Sequence, residues 1–149
     1  MNRKLARRGG LLMHVLKPTR SILDPVHGLI RLTKEEVGIL DHPLFQRLRS
    51  IRQNGLLHLI FPSATHTRFE HRLGTLYTAD ALITAVFENS AVASAKRAPG
   101  VGTLEGDADG VAIDITMLGQ RERTDLYRVA RIAALVHDMG HRPLSQRTT

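Results

Sequence analysis

The residues of this chain with the most chemistry in them stand together at His137-Asp138-Met139-Gly140-His141. An adjacent imidazole and carboxylate can hold a metal ion. A carboxylate in the last turn of a helix meets the negative end of the helix dipole, which costs roughly 0.3–1 kcal/mol, and a bound cation would reverse the sign. Upstream, Arg68-Phe69-Glu70-His71 supplies a second imidazole. Arg68 and His71 are three residues apart and share a helix face. His71, His137 and Asp138 then make a set of two nitrogens and one carboxylate. Such a set suits Mn, Fe, Zn or Ni better than Ca or Mg, with Mg the less favoured choice. An ion there would bind phosphate oxygens and acidify a bound water. Arg68 would stabilise phosphate charge through its planar fork. His141, one turn beyond His137, could act on the leaving group as a general acid. Each residue alone also has an ordinary structural reading as a packed, capping or solvated side chain; the combination carries the chemistry.

The elements that must position these residues are read from period and punctuation. Asp24-Pro25-Val26-His27-Gly28 is turn-rich, and Leu29, Ile30 and Leu32 suggest one short strand. Thr33 with Glu36 fits a capping box that starts a short helix to about Leu40. Asp41 with Pro43 starts a second helix, with Leu44, Phe45, Leu48 and Ile51 at helical spacing and Gly55 as its stop. Leu56 to Phe61 is strand-like or loop-like. A long helix is predicted from about Arg68 to Phe87, with Phe69, Leu73, Leu76, Tyr77, Ile83, Val86 and Phe87 on its apolar face. Residues 89–110 read as a surface loop or insertion. Val111 to Leu118 is ambiguous between strand and helix. The last helix is predicted from about Asp125 to Asp138, with Leu126, Val129, Ile132, Ala133, Leu135 and Val136 apolar.

Composition bounds the class. The 149 residues are enough for one domain with a core, and 42% hydrophobic with 23% charged residues is ordinary globular usage. Aromatics are 4%, so the core must be built from aliphatic side chains, which suits packed helices. There is no Cys, so disulfides and thiolate metal sites are excluded. Net charge is 21 − 14 = +7, which favours anionic partners: nucleotides, nucleic acid or anionic lipid. No segment approaches the length of a membrane span; a cytoplasmic chain is expected. Residues 1–20 contain no acid and read as a basic arm; residues 21–149 read as one domain.

Four blocks of sequence make a specific resemblance. They are Asp24-Pro25-Val26-His27-Gly28; Pro43-Leu44-Phe45-Gln46-Arg47-Leu48-Arg49-Ser50-Ile51-Arg52-Gln53; Phe61-Pro62-Ser63-Ala64-Thr65-His66-Thr67-Arg68-Phe69-Glu70-His71; and His137-Asp138-Met139-Gly140-His141. In this order they resemble the N-terminal part of the HD-domain metal-dependent phosphohydrolases, in their deoxynucleoside triphosphate triphosphohydrolase, dGTPase-like branch. The resemblance implies an all-α HD core with a short N-terminal strand or loop region. It implies His71, His137 and Asp138 as metal ligands, Arg68 and His141 near the substrate phosphates, and Gln53 against the deoxynucleoside sugar. It also implies that Asp41, Gln46 and Arg49 read a regulatory guanine nucleotide, although Asp41 also reads as a helix cap and Arg49 as a helix-surface charge.

The match has gaps. The family's second Asp ligand lies well downstream of the HD pair, and no acidic residue follows Asp138 here. The family pattern after the second His is Gly-Pro-aromatic-Ser-His; here it is Arg142-Pro143-Leu144-Ser145-Gln146. The expectation is a partial HD domain, a weakly active or incomplete enzyme with apolar helix faces left for a partner or a second copy to cover. The alternatives are a catalytically inactive module holding nucleotide or nucleic acid through Arg47, Arg49, Arg52, Arg68 and the basic arm, and an oligomerisation module.

Overall fold

The computed structural model describes residues 16–96 and 118–139. It opens on an antiparallel hairpin of β1 (Arg20–Asp24) and β2 (Gly28–Leu32), paired from Arg20↔Leu32 to Asp24↔Gly28. The turn follows from Asp24, whose carboxylate accepts from the backbone N–H groups of Val26 (2.9 Å) and His27 (2.8 Å), an Asx turn. Gly28 closes it at φ 77°, a conformation that side chains resist. The single strand expected at Leu29–Leu32 is thus the second arm of a hairpin. Its partner begins inside the segment read as a basic arm. The end of that segment is part of the fold: Thr19 N–H donates to Leu32 O at 2.8 Å, and Leu16 packs on Phe87 and Tyr127. The rest of the arm, residues 1–15, lies outside the described residues.

The capping box forms as expected. Helix α1 (Lys34–Asp41) has Thr33 as N-cap; Glu36 N–H donates to Thr33 Oγ1 and Thr33 N–H to Glu36 Oε2. Asp41 is not the next cap. It is the last residue of α1, and its carboxylate takes both oxygens to Arg20 Nη1 at 2.8 and 2.9 Å. His42 caps α2 (Pro43–Gln46) through Nδ1 instead. Helix α2 is one turn long and gives way to 3₁₀ turns at Arg47–Ser50 and Gly55–Leu59, so Gly55 opens a turn and does not close a helix. Phe45 and Leu48 are buried at either side of that switch, which places the same apolar residues inward by a tighter winding.

Two long helices follow. Helix α3 (Arg68–Lys96) runs past the expected end, so the first part of the stretch read as a loop is helical; residues 97–110, and the ambiguous stretch 111–117, lie outside the described residues. Helix α4 (Gln120–Val136) starts five residues earlier than predicted and stops before His137, so His137 and Asp138 stand in the turn beyond it. The two helices pack on each other. The main core gathers Ile30, Leu32, Leu40, Phe45, Leu48, Phe69, Leu73, Leu76 and Leu135, with Phe45 edge-on to Phe69. Among the described residues the fold is therefore mostly helical with one two-stranded sheet. No helix among the described residues is long and apolar enough to cross a membrane.

The buried stripe of α4 is Tyr127, Arg131, Ala134 and Leu135, at helical spacing but with an arginine at its centre. Leu126, Val129 and Val136, expected on the apolar face, are exposed, as is Leu82 on α3.

At Gly74 the His27 ring of the hairpin turn comes close against α3. A Cβ there would lie 2.9 Å from Nε2 of His27, whose ring stacks on Tyr77 at 4.8 Å. Alanine ordinarily stabilises a helix interior over glycine by roughly 0.5–1 kcal/mol. Here Gly74→Ala is expected to lower the thermal midpoint, because the His27 ring must shift from its place against Tyr77. In a His27→Ala background the same substitution is expected to raise it. Thermal melts of the four proteins check the change of sign.

Candidate functional site

Two loops and two helix ends build the site. Arg68 N–H donates to Ile51 O at 2.8 Å, and Gln53 N–H to His66 O at 3.0 Å, so the 51–53 segment is tied to the start of α3. Thr67 and Glu70 form a capping pair there: Glu70 N–H donates to Thr67 Oγ1 at 3.2 Å and Thr67 N–H to Glu70 Oε2 at 2.5 Å. That cap fixes the helix start and with it the direction of Arg68, His71 and Arg72.

His71 and His137, far apart in sequence, meet edge to face with ring centroids 5.9 Å apart. His137 Nδ1 lies 3.0 Å from Ala134 O, so Nδ1 carries a proton and donates it to that carbonyl. Fixing one ring nitrogen on a carbonyl is how ligand imidazoles are usually oriented. Burial, reinforced by His137 and then Arg72 and partly opposed by Asp138, holds the His71 pKa below its ordinary 6.5. Its imidazole is neutral at pH 7, the form that donates a lone pair.

Asp138 is placed differently. Its Oδ2 lies 3.5 Å from Arg72 Nη2 and 3.7 Å from Arg68 Nη1. Both arginines are buried, Arg72 fully. Arg72 Nη1 donates to Leu135 O at 3.1 Å, and its Nε and Nη2 make no hydrogen bond among the described residues. The 3.5 Å contact is an ion pair longer than a hydrogen bond. Among the described residues, no three His, Asp or Glu side chains converge closely enough to hold a metal ion. Asp138 as placed does not complete a three-donor set with the two imidazoles.

The remaining expected residues divide. Gln53 has its side-chain oxygen buried without a partner among the described residues, poised as an acceptor. Gln46 and Arg49 are together: Arg49 Nε donates to Gln46 Oε1 at 2.8 Å, and the Arg49 guanidinium lies 3.6 Å above the Phe69 ring. Asp41 is engaged by Arg20. Arg47 and Arg52 are exposed. His141 lies outside the described residues. A cavity of about 430 Å³ opens beside His71 and is lined by Asp24, His27, His66, Glu70, Gly74 and Thr75 among others.

Sequence reasoning missed Arg72. The signal was available: Arg72 is four residues from Arg68, and so on the same helix face. It also missed the buried network of Arg131, whose guanidinium pairs with Glu36 (2.7 and 2.9 Å) and Asp80 (2.5 Å) and donates to Arg31 O. Tyr127 donates its hydroxyl proton to the same Asp80 carboxylate. Nothing local in the sequence predicts that pairing.

Comparison with known proteins gives the context. No protein-family model matches the chain. The chain is 37% identical over 137 residues to the deoxynucleoside triphosphate triphosphohydrolase SAMHD1 of Gallus gallus, covering 89% of this chain and 18% of that protein. It is 31% identical over 120 residues to an HD domain-containing protein of Acanthamoeba polyphaga mimivirus, covering 80% of this chain and 23% of that protein. Among solved structures it resembles a hypothetical protein from Aquifex aeolicus, with a TM-score of 0.52 and 27% identity over 85% of this chain and 25% of that one. The chain thus spans about a fifth of the length of the relatives it matches.

Proposed function

This chain is a relative of the HD-domain deoxynucleoside triphosphate triphosphohydrolases, and on that premise we propose that it serves metal-dependent hydrolysis of deoxynucleoside triphosphates to deoxynucleoside and triphosphate. The observation that carries the reading is the meeting of His71 and His137, edge to face at 5.9 Å, beside an Asp138 flanked by Arg68 and Arg72. Two imidazoles next to a cluster with two guanidinium groups and one carboxylate suit a polyanionic substrate. In this reading His71 and His137 are the metal donors. Arg68 holds the phosphates, and the buried oxygen of Gln53 accepts from the sugar hydroxyl. Gln46 and Arg49, with Asp41 once Arg20 releases it, form the regulatory nucleotide surface. His141 acts on the leaving group. What the described side chains do is bind and orient: arginine forks fix phosphate oxygens in a plane, and the capped start of α3 holds those forks in place.

Equilibrium titration by calorimetry tests the substrate class. dGTP is expected to bind at least tenfold more tightly than deoxyguanosine, with an affinity that falls as salt rises. Equal affinities would remove the triphosphate from the recognition and the proposal with it.

A further inference from the structure

We propose that the loop formed by residues 54–65 docks on an anionic lipid surface, seating its exposed apolar side chains in the outer edge of a bilayer. The foot of the loop is closed by Gln53 N–H donating to His66 O at 3.0 Å, Arg68 N–H to Ile51 O at 2.8 Å, and Arg52 Nη1 to Thr65 O at 3.3 Å. Within it the 3₁₀ turn Gly55–Leu59 buries no residue. Leu56, Leu59, Ile60 and Phe61 are 66%, 71%, 74% and 57% exposed, and Leu57 is exposed as well. These residue types build the core elsewhere in the chain, yet here they follow one another, broken only by His58, on the surface. A contiguous apolar surface of this kind marks an interaction site. The turn is wound, not slack: Leu57 N–H donates to Asn54 O and Ile60 N–H to Leu57 O, each at 3.0 Å, and Phe61 N–H donates to Leu57 O at 2.9 Å. Backbone groups paired within the turn can enter an apolar phase without being stranded. Charge decides the occupant. From His42 to Phe69 there is no Asp or Glu, while Arg47, Arg49, Arg52 and Arg68 all fall in that stretch. Arg47 and Arg49 are exposed on the 3₁₀ turn before the loop, and Arg52 is exposed at its foot. Apolar side chains that insert, beside arginines that meet phosphate headgroups, are what hold peripheral proteins on anionic bilayers. A second copy seated on the same face would set arginines against arginines. Single-stranded nucleic acid would need aromatic platforms for its bases, and Phe61 is the one Phe, Tyr or Trp between Phe45 and Phe69.

The test is flotation of the full chain with vesicles of phosphatidylcholine alone, or of equal parts phosphatidylcholine and phosphatidylserine. Binding is expected on the mixed vesicles, and about tenfold weaker or less on the neutral ones. Leu59→Ser/Ile60→Ser keeps every charge and is expected to weaken binding to mixed vesicles about tenfold. Arg47→Gln/Arg52→Gln keeps the apolar loop and is expected to weaken it by about the same factor. The chain has no Trp, so Phe61→Trp reports insertion directly. Its emission should move to the blue on mixed vesicles and be quenched by lipid brominated in the acyl chain. A folded serine pair that floats as well as the unaltered chain assigns the binding to net charge alone and overturns the proposal, as does emission that brominated lipid leaves unquenched. Absence of flotation overturns it too, whether the serine pair then turns a dimer into a monomer, which gives the loop to a second copy, or loses affinity for single-stranded DNA, which gives it to nucleic acid. If the serine pair does not fold, the quenching in Phe61→Trp decides alone.

Discussion

Replacing Arg131 with methionine is expected to remove about 3–5 kcal/mol of stability, the cost of breaking a buried ion pair from one side. A domain of this size has about 5–15 kcal/mol in total, so the variant should sit at the edge of unfolding. The reason is what remains behind. Glu36 and Arg131 have side chains 2% exposed, and the two-pronged pair at 2.7 and 2.9 Å neutralises a carboxylate that water cannot reach. The same guanidinium neutralises Asp80 at 2.5 Å and satisfies Arg31 O at 2.8 Å, which pins α4 at once to α1, α3 and the hairpin. Burial opposes the charge on Arg131, and the Glu36 and Asp80 carboxylates more than compensate, holding its pKa above the ordinary value. Burial and then Asp80 likewise raise the Tyr127 pKa, so its hydroxyl keeps its proton and donates. Urea denaturation followed by circular dichroism measures the loss. Because the penalty is a stranded charge, adding Glu36→Gln to Arg131→Met should recover part of it. A double variant no more stable than the single one would assign the loss to packing instead.

Arg68→Ala is expected to weaken dGTP binding by about 10- to 100-fold, the worth of a charge-assisted hydrogen bond of roughly 1.5–3 kcal/mol. Arg68 sits at the first position of α3 with its backbone tied to Ile51, so its fork is held in one place. Arg47 and Arg52 carry the same charge on exposed side chains, although Arg52 Nη1 donates to Thr65 O at 3.3 Å. Their alanine variants should change affinity less than threefold, since exposed charges are screened. Lysine at position 68 should restore only part of the binding, because a point charge does not reproduce a planar fork. Equal losses at Arg47, Arg52 and Arg68 would favour a diffuse basic surface that binds polyanions, the alternative to a built substrate site. Calorimetric titrations on variants of native circular dichroism decide between them.

How much of this was legible in the sequence depended on how local each cause was. Thr33 with Glu36 forecast its helix start because the capping box is complete within four residues. The apolar residues of α3 forecast a long helix because burial repeats at its own period, and Phe69, Leu73, Leu76 and Phe87 are buried as the period requires. Asp41 misled because Arg20, 21 residues away, claims its carboxylate, which leaves His42 to cap. The buried face of α4 was misread because its centre is Arg131, and an apolar period count passes over a charge whose partners lie 95 and 51 residues away. At the site, His71 and His137 were legible by residue type and do come together. The placement of Asp138 beside two arginines was not, because Arg72 comes near it only when α3 and α4 pack.

The most direct test of the account is the product of turnover. The purified chain with Mn(II) and dGTP should be followed by phosphorus NMR, with His137→Ala alongside. Slow release of intact inorganic triphosphate, absent in the variant, is the result the account predicts. Orthophosphate or pyrophosphate as the product, or no difference between the two proteins, would contradict it.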